Sequence, residues 1–210
     1  MSELQAATNR KKESILRELL ENLSREGYNA SSGSEPATDY FGNETGETVI
    51  EISGSPISRI ALLAYDYGNS RTSFRYRYRV DLGGYLPAAA GKLLYSRLKP
   101  VKENKILGIF SGDLTGVHWE GQQAASQLNS DTALSAKVLE LVRQAGDTDV
   151  QVYVKSADTV EILGPRLTAP FSLLAGEELM RGFTEEAVSA CRLDIFEQIG
   201  RYIQEVIRTA

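Results

Sequence analysis

The chain has 210 residues, 42% of them apolar and 24% charged, and a net charge of −5. This is ordinary globular usage, with enough apolar residues for a core and far from the composition of a disordered chain. The acidic balance gives no general electrostatic reason to expect nucleic acid or an anionic lipid surface as a partner.

Cys191 is the only cysteine. An intrachain disulfide and a cysteine-based metal cluster within one chain are therefore excluded, which suits a reducing, cytoplasmic setting. Met1 to Ser14 lack the apolar core of a secretion signal. The longest apolar run, Ile60 to Tyr65, is far shorter than the ~20 residues needed to span a bilayer.

The first predicted element is an amphipathic helix over about 9–26. Thr8 or Asn9 is placed to cap it, Ile15, Leu16, Leu19, Leu20 and Leu23 share one face, and Gly27 marks the stop. From Asn29 to about Glu47 the chain is rich in Ser, Gly, Asn, Thr and acid and contains Pro36, so this stretch reads as a flexible loop.

Strands follow. Thr48 to Ser53 is a short one. Ile57 to Tyr67 has apolar residues on both faces and suits a central place in a sheet. Thr72 to Leu82 alternates, with Phe74, Tyr76, Tyr78, Val80 and Leu82 on one face and Arg75, Arg77, Arg79 and Asp81 on the other. A two-residue Gly68-Asn69 turn would join these two strands, setting Leu63 opposite Phe74, Ala61 opposite Tyr76 and Ile57 opposite Val80.

Lys92 to Leu98 reads as another strand. Lys105 to Ser111 and Leu114 to Glu120 read as a hairpin about Gly112-Asp113. Gln122 to Leu128 is a short helix, and Ser130 or Asp131 caps a longer one that closes at Gly146. Asp149 to Lys155 and Thr159 to Leu163 form a third hairpin. The chain then turns helical over about 171–208, with Thr184 capping a long helix whose seam runs from Val188 through Cys191, Ile195, Ile199 and Tyr202 to Val206. The fold these elements predict is a single α+β domain over 1–210. Its sheet is twisted, mainly antiparallel and built from hairpins, with a sheet-rich core over about 48–163. Helices pack on one face, among them the long C-terminal helix.

Few residues point to chemistry. His118 and Glu120 share a strand face, with Asp113 nearby across the turn, and form a polar or metal site only if further ligands join them. No Gly-x-Gly-x-x-Gly or Walker pattern is present, so no nucleotide cofactor, and indeed no cofactor, is expected. Cys191 on an apolar helix face reads as a buried, inert thiol. Arg71, Arg75, Arg77 and Arg79 line one strand face at spacings that suit bidentate binding of phosphate or carboxylate groups. The other face carries the aromatic residues, which argues against a single-strand nucleic-acid platform.

The function expected from the residues is non-enzymatic binding of a small apolar ligand or a protein partner where the sheet meets the C-terminal helix. That helix also offers a face for homo-oligomerisation. An enzyme using Asp, Glu, Arg or His side chains, and an anion or nucleic-acid binder using the arginine face, are the alternatives.

Overall fold

The computed structural model describes residues 3–38, 44–66, 72–83, 90–103, 113–156, 158–169 and 177–209. Among the described residues eight strands form one antiparallel sheet: β1 (Asn29–Thr38), β2 (Glu44–Ser53), β3 (Ile57–Asp66), β4 (Thr72–Val80), β5 (Ser96–Lys102), β6 (Leu114–Gly121), β7 (Gln151–Ser156) and β8 (Thr159–Thr168). Their spatial order is β1-β2-β3-β4-β8-β7-β5-β6, so β4 and β8 lie at the centre while β1 and β6 are the edges. The helices are α1 (Glu3–Arg25), α2 (Ala90–Leu94), α3 (Gln123–Ser130), α4 (Thr132–Ala145), α5 (Glu177–Ser189) and α6 (Leu193–Thr209). The α+β class, the antiparallel sheet and the long helical C-terminus are those expected. No helix among the described residues is long and apolar enough to cross a membrane.

Strand alternation divides the sheet into two unlike faces. Ile50 and Ile52 of β2, Ile60 and Leu62 of β3, Phe74, Tyr76 and Tyr78 of β4 and Val160 and Ile162 of β8 are buried toward the helices. Ile15, Leu16, Leu19 and Leu23 of α1 and Ile195, Phe196, Ile199, Ile203 and Val206 of α6 meet them there. Tyr78 stacks on Phe196 with ring centroids 3.9 Å apart, worth about 0.5–1.5 kcal/mol beyond the area buried. The phenol of Tyr76 donates to the carbonyl of Ala187 (2.9 Å), and that of Tyr78 to the carbonyl of Cys191 (2.5 Å). Ala187 lies in the last turn of α5, where carbonyls run out of helical partners, and Cys191 lies in the break that follows it, so these hydroxyls bond carbonyls at the end of the helix and just beyond it. Burial raises both phenols well above their ordinary pKa.

Several expectations are corrected. Within the stretch expected to be a loop, Asn29–Thr38 is a full edge strand, paired along β2 from Asn29↔Ser53 to Thr38↔Glu44, and β2 itself starts at Glu44; residues 39–43 lie outside the described residues. The serines and glycine of β1 have weak strand propensity, and β1 is held by the ladder it shares with β2 and by Glu35, which reaches the arginines of β3 and β4. The β3–β4 register is Leu62↔Tyr76 and Ala64↔Phe74, one residue from the expected pairing, and returns to Ile57↔Val80 only past an irregularity between Ile57 and Arg59. This register puts Ile60 and Leu62, rather than Ala61 and Leu63, beside the tyrosines on the core face. The Gly68-Asn69 turn lies outside the described residues.

β6 pairs with β5, from Ser96↔Gly121 to Lys102↔Leu114; residues 105–111, expected to form a hairpin with it, lie outside the described residues. The expected strand at Lys92 starts only at Ser96, after α2. Thr8 and Asn9 lie inside α1, and Thr184 lies inside α5 rather than capping a helix. The C-terminal helical region is interrupted at 190–192, where Arg192 takes a left-handed φ of 39°. β8 also continues past Pro165 to Thr168. The β4–β8 ladder accommodates the proline with an extra residue on β8, between the pairs Arg77↔Leu163 and Arg75↔Arg166.

Candidate functional site

The sheet face away from the core carries the charges. Arg59, Arg75, Arg77 and Arg79 alternate with the core residues of β3 and β4, and among the described residues the ion-pair partners of Arg59, Arg77 and Arg79 sit on other strands of the same face. Glu35 of β1 accepts from Arg59 (3.1 Å), Arg79 (2.8 Å) and Arg77. Glu47 of β2 bonds Arg77 (3.1 Å) and Lys12 of α1 (3.0 Å), and Glu51 bonds Arg59 (2.8 Å). Glu161 of β8, fully buried, accepts from Tyr153 (2.5 Å) and Lys155 (3.1 Å), with Arg77 and Arg79 at 3.6 and 3.7 Å. Four carboxylates thus interleave with five cations: Arg59, Arg77, Arg79, Lys12 and Lys155. Burial would push the Glu35 carboxyl up, but Arg77, with Arg59 and Arg79, holds it below its ordinary value. The Tyr153 phenol is pushed up by burial and by its bond to Glu161.

Arg75 belongs to a second group. The β8 bulge turns the Gly164 carbonyl toward it, and its Nε donates there at 2.7 Å. Its two terminal nitrogens bond Asp149, one to the carboxylate at 3.2 Å and the other to the main-chain carbonyl. Arg97 of β5 and Arg166 of β8 reach the same carboxylate at 3.3 and 3.1 Å. Gln151 donates to it at 2.6 Å.

Of the arginines singled out from the sequence, Arg75, Arg77 and Arg79 therefore share a face but divide between these two groups, while Arg71 lies outside the described residues. His118 and Glu120 share that face on edge strand β6, opposite Lys99 and Arg97 respectively, and Glu120 pairs with Lys99 at 3.4 Å. Asp113 stands just before β6, where its carbonyl accepts the N–H of Glu103. Among the described residues no group of three His, Cys, Asp or Glu side chains is placed to hold a metal ion.

On the helix side, a groove of about 610 Å³ opens between α1 and the α5–α6 junction. Leu19 and Leu23 of α1 and Val188, Cys191 and Leu193 of the junction supply its apolar lining. Glu18, Glu26, Glu185 and Asp194 add carboxylates to the lining; Asp194 is bonded to Arg192 at 3.2 Å and to Lys137 at 3.4 Å, and Glu185 pairs with Arg181 at 3.6 Å. Tyr28 lines the same groove, and burial beside Glu197 raises its phenol pKa. The Cys191 thiol is pushed up to about 12 by burial, so it is no nucleophile at neutral pH.

The sheet–α6 contact, in contrast, is closely packed. Gly200 lets α6 approach so near that an added Cβ would stand 3.2 Å from Pro56 and 3.3 Å from Ile57. The apolar seam of α6 is covered by β3 and β4 together with helices α2, α3 and α4, with Tyr202 and Ile207 only partly buried.

The residues missed from the sequence are mostly carboxylates. Glu161, an acid inside the apolar string Val160–Leu163, carried a legible signal. Glu35 and Asp149, in segments read as loop and strand start, did not. Known protein-family models, curated proteins and solved structures contain no match to the chain.

Proposed function

We propose that the protein is a non-enzymatic binding module. Its groove between α1 and the α5–α6 junction takes a basic, amphipathic segment of a partner protein. The observation that carries this reading is the pairing of an apolar floor with an acidic rim in a space of about 610 Å³, within the range of ligand-sized sites. Apolar side chains of the segment rest on Leu19, Leu23 and Val188, while lysines or arginines meet Glu18, Glu26 and Glu185. Opposite charge steers the encounter and apolar burial holds the complex. The site sits beside the sheet–helix contact rather than within it, because Gly200 and the Tyr78–Phe196 stack fill that contact.

The test uses a fluorescent peptide alternating Leu with Lys, titrated with the full chain and followed by anisotropy. The expected result is saturable, salt-weakened binding that falls at least tenfold when the exposed Glu26 and Glu185 are both changed to Lys. Binding unaffected by that double change would place the peptide elsewhere and remove the proposal.

A further inference from the structure

We infer that β1 is a strap over the pairing edge of β2: a strand that leaves and rejoins the sheet while the rest of the molecule stays folded, with the Glu35 carboxylate as its latch. The two edge strands are anchored differently. Edge strand β6 sends Trp119 into the core, where it is 1% exposed. Of the described side chains of β1, none belongs to the buried apolar core, and Ala30 alone packs against it in part. Asn29, Ser31, Ser32 and Ser34 are exposed. What holds β1 is its ladder to β2 and Glu35. Ladder bonds at an exposed edge replace bonds to water and contribute little net, while ordering serines and a glycine costs chain entropy.

Glu35 is the only charged residue of β1, and among the described side chains its only buried one. It reaches past β2. Its carboxylate meets Arg59 of β3 at 3.1 Å and Arg79 of β4 at 2.8 Å, on strands two and three places inward, and also Arg77 of β4. The ladder itself works against it. Glu35 stands directly opposite Glu47 in the β1–β2 pairing, and like charges so placed are destabilising unless a cation lies between them. Arg77 is that cation, bonding Glu35 and, at 3.1 Å, Glu47. Lys12 of α1 takes Glu47 at 3.0 Å, and Arg59 takes Glu51 at 2.8 Å. The arginines therefore hold β1 down and cancel the repulsion that would lift it.

β2 does not need β1 in order to stay in the sheet. Its Val49, Ile50 and Ile52 are buried, and β3 pairs along its other side from Val49↔Ala61 to Glu51↔Arg59. Release of β1 bares the backbone N–H and C=O groups that β2 shares with it, an edge open to pairing with an extended segment of another chain. The strap lies at the β1 edge and does not rest on the reading of the groove.

The test is native-state amide hydrogen exchange of the full chain at pH 7, read segment by segment. In the parent chain, exchange over 29–38 should depend less on sub-denaturing urea than exchange over 72–80 and 159–168, because opening one strand exposes less surface than unfolding the sheet. In E35A, exchange over 29–38 should rise at least about tenfold and run ahead of 72–80 and 159–168, as expected when a buried charge-assisted bond is removed. E51A removes a carboxylate that is 45% exposed and pairs, among the described residues, with Arg59 alone; it should leave 29–38 protected. Equal urea dependence of the three segments overturns the strap, because β1 then leaves only with the whole sheet. Unchanged exchange over 29–38 in E35A, or an equal rise in E51A, overturns Glu35 as the latch. Should E35A not fold, the urea series of the parent chain and E35Q, which keeps the shape and removes the charge, decide in its place.

Discussion

Glu35 is 5% exposed, yet its carboxylate meets three guanidiniums. An unpaired charge at that depth would be expelled or neutralised; a paired one is held, and removing it strands its partners. Its folded pKa lies below the ordinary 4.5, and that of Asp149 below 3.8. Below about pH 4.5 the unfolded chain binds more protons than the native one. The stabilisation is therefore complete above that pH and is lost as pH falls through the lower folded values. Urea midpoints measured from pH 7 to pH 3 should be flat and then decline. Glu35→Gln should lower stability at pH 7 by about 2–4 kcal/mol and make the acid decline shallower. An acid decline of unchanged slope in the variant would show that Glu35 is not its source.

At the scale of the element, the two sheet edges are finished differently. Edge strand β6 is closed by side chains: the N–H of Trp119 donates to Asn129 Oδ1 and Asn129 Nδ2 donates back to the Trp119 carbonyl, both at 2.8 Å. Asn129 of α3 thus takes the place of a ninth strand at that point, and Arg143 of α4 bonds the carbonyl of Leu114. Edge strand β1 carries Pro36, which has no N–H to offer a neighbour. Free strand edges invite pairing with other chains. Asn129→Ala should cost about 1–2 kcal/mol in urea denaturation and raise concentration-dependent light scattering. Unchanged scattering would mean that Arg143 alone suffices to protect the edge.

Elements whose signal is local were legible: α4 begins at Asp131, whose carboxylate accepts the Leu134 N–H at 2.9 Å, and ends at a left-handed Gly146, as their residue types imply. β1 was not legible, because what makes it a strand is a partner strand and an arginine cluster elsewhere in the chain.

Across the whole molecule, β4 and β8 join what would otherwise be two smaller sheets. The core runs without a break from Leu16 of α1 to Trp119 of β6. Such a structure should unfold as one unit. Trp119, the only tryptophan, reports on the β5–β6 end, while Tyr76 and Tyr78 report on the β4 centre. Tryptophan fluorescence and near-ultraviolet dichroism of the tyrosines should give superimposable urea transitions. Two separated midpoints would show that the halves fold independently. The Asp149 cluster and the groove also belong to this scale: Arg75 and Asp149 are 74 positions apart, and the groove joins α1 to residues 185–194. No local pattern encodes such meetings. The arginine stripe was readable, but which acids answer it was decided by strand order.

The break at 190–192 has a geometric consequence. At the usual twist of roughly 20° per step, seven strand-to-strand steps would rotate the far edge of such a sheet by about 140° relative to the near one, giving its core face a saddle shape. A straight rod running from Glu177 to Thr209, about 50 Å long, could lie tangent to such a surface over only part of its length and would lift away at the ends. Bent at Arg192, the same residues become two shorter rods, each free to follow its own local slope. The groove lies beside this bend, next to α1.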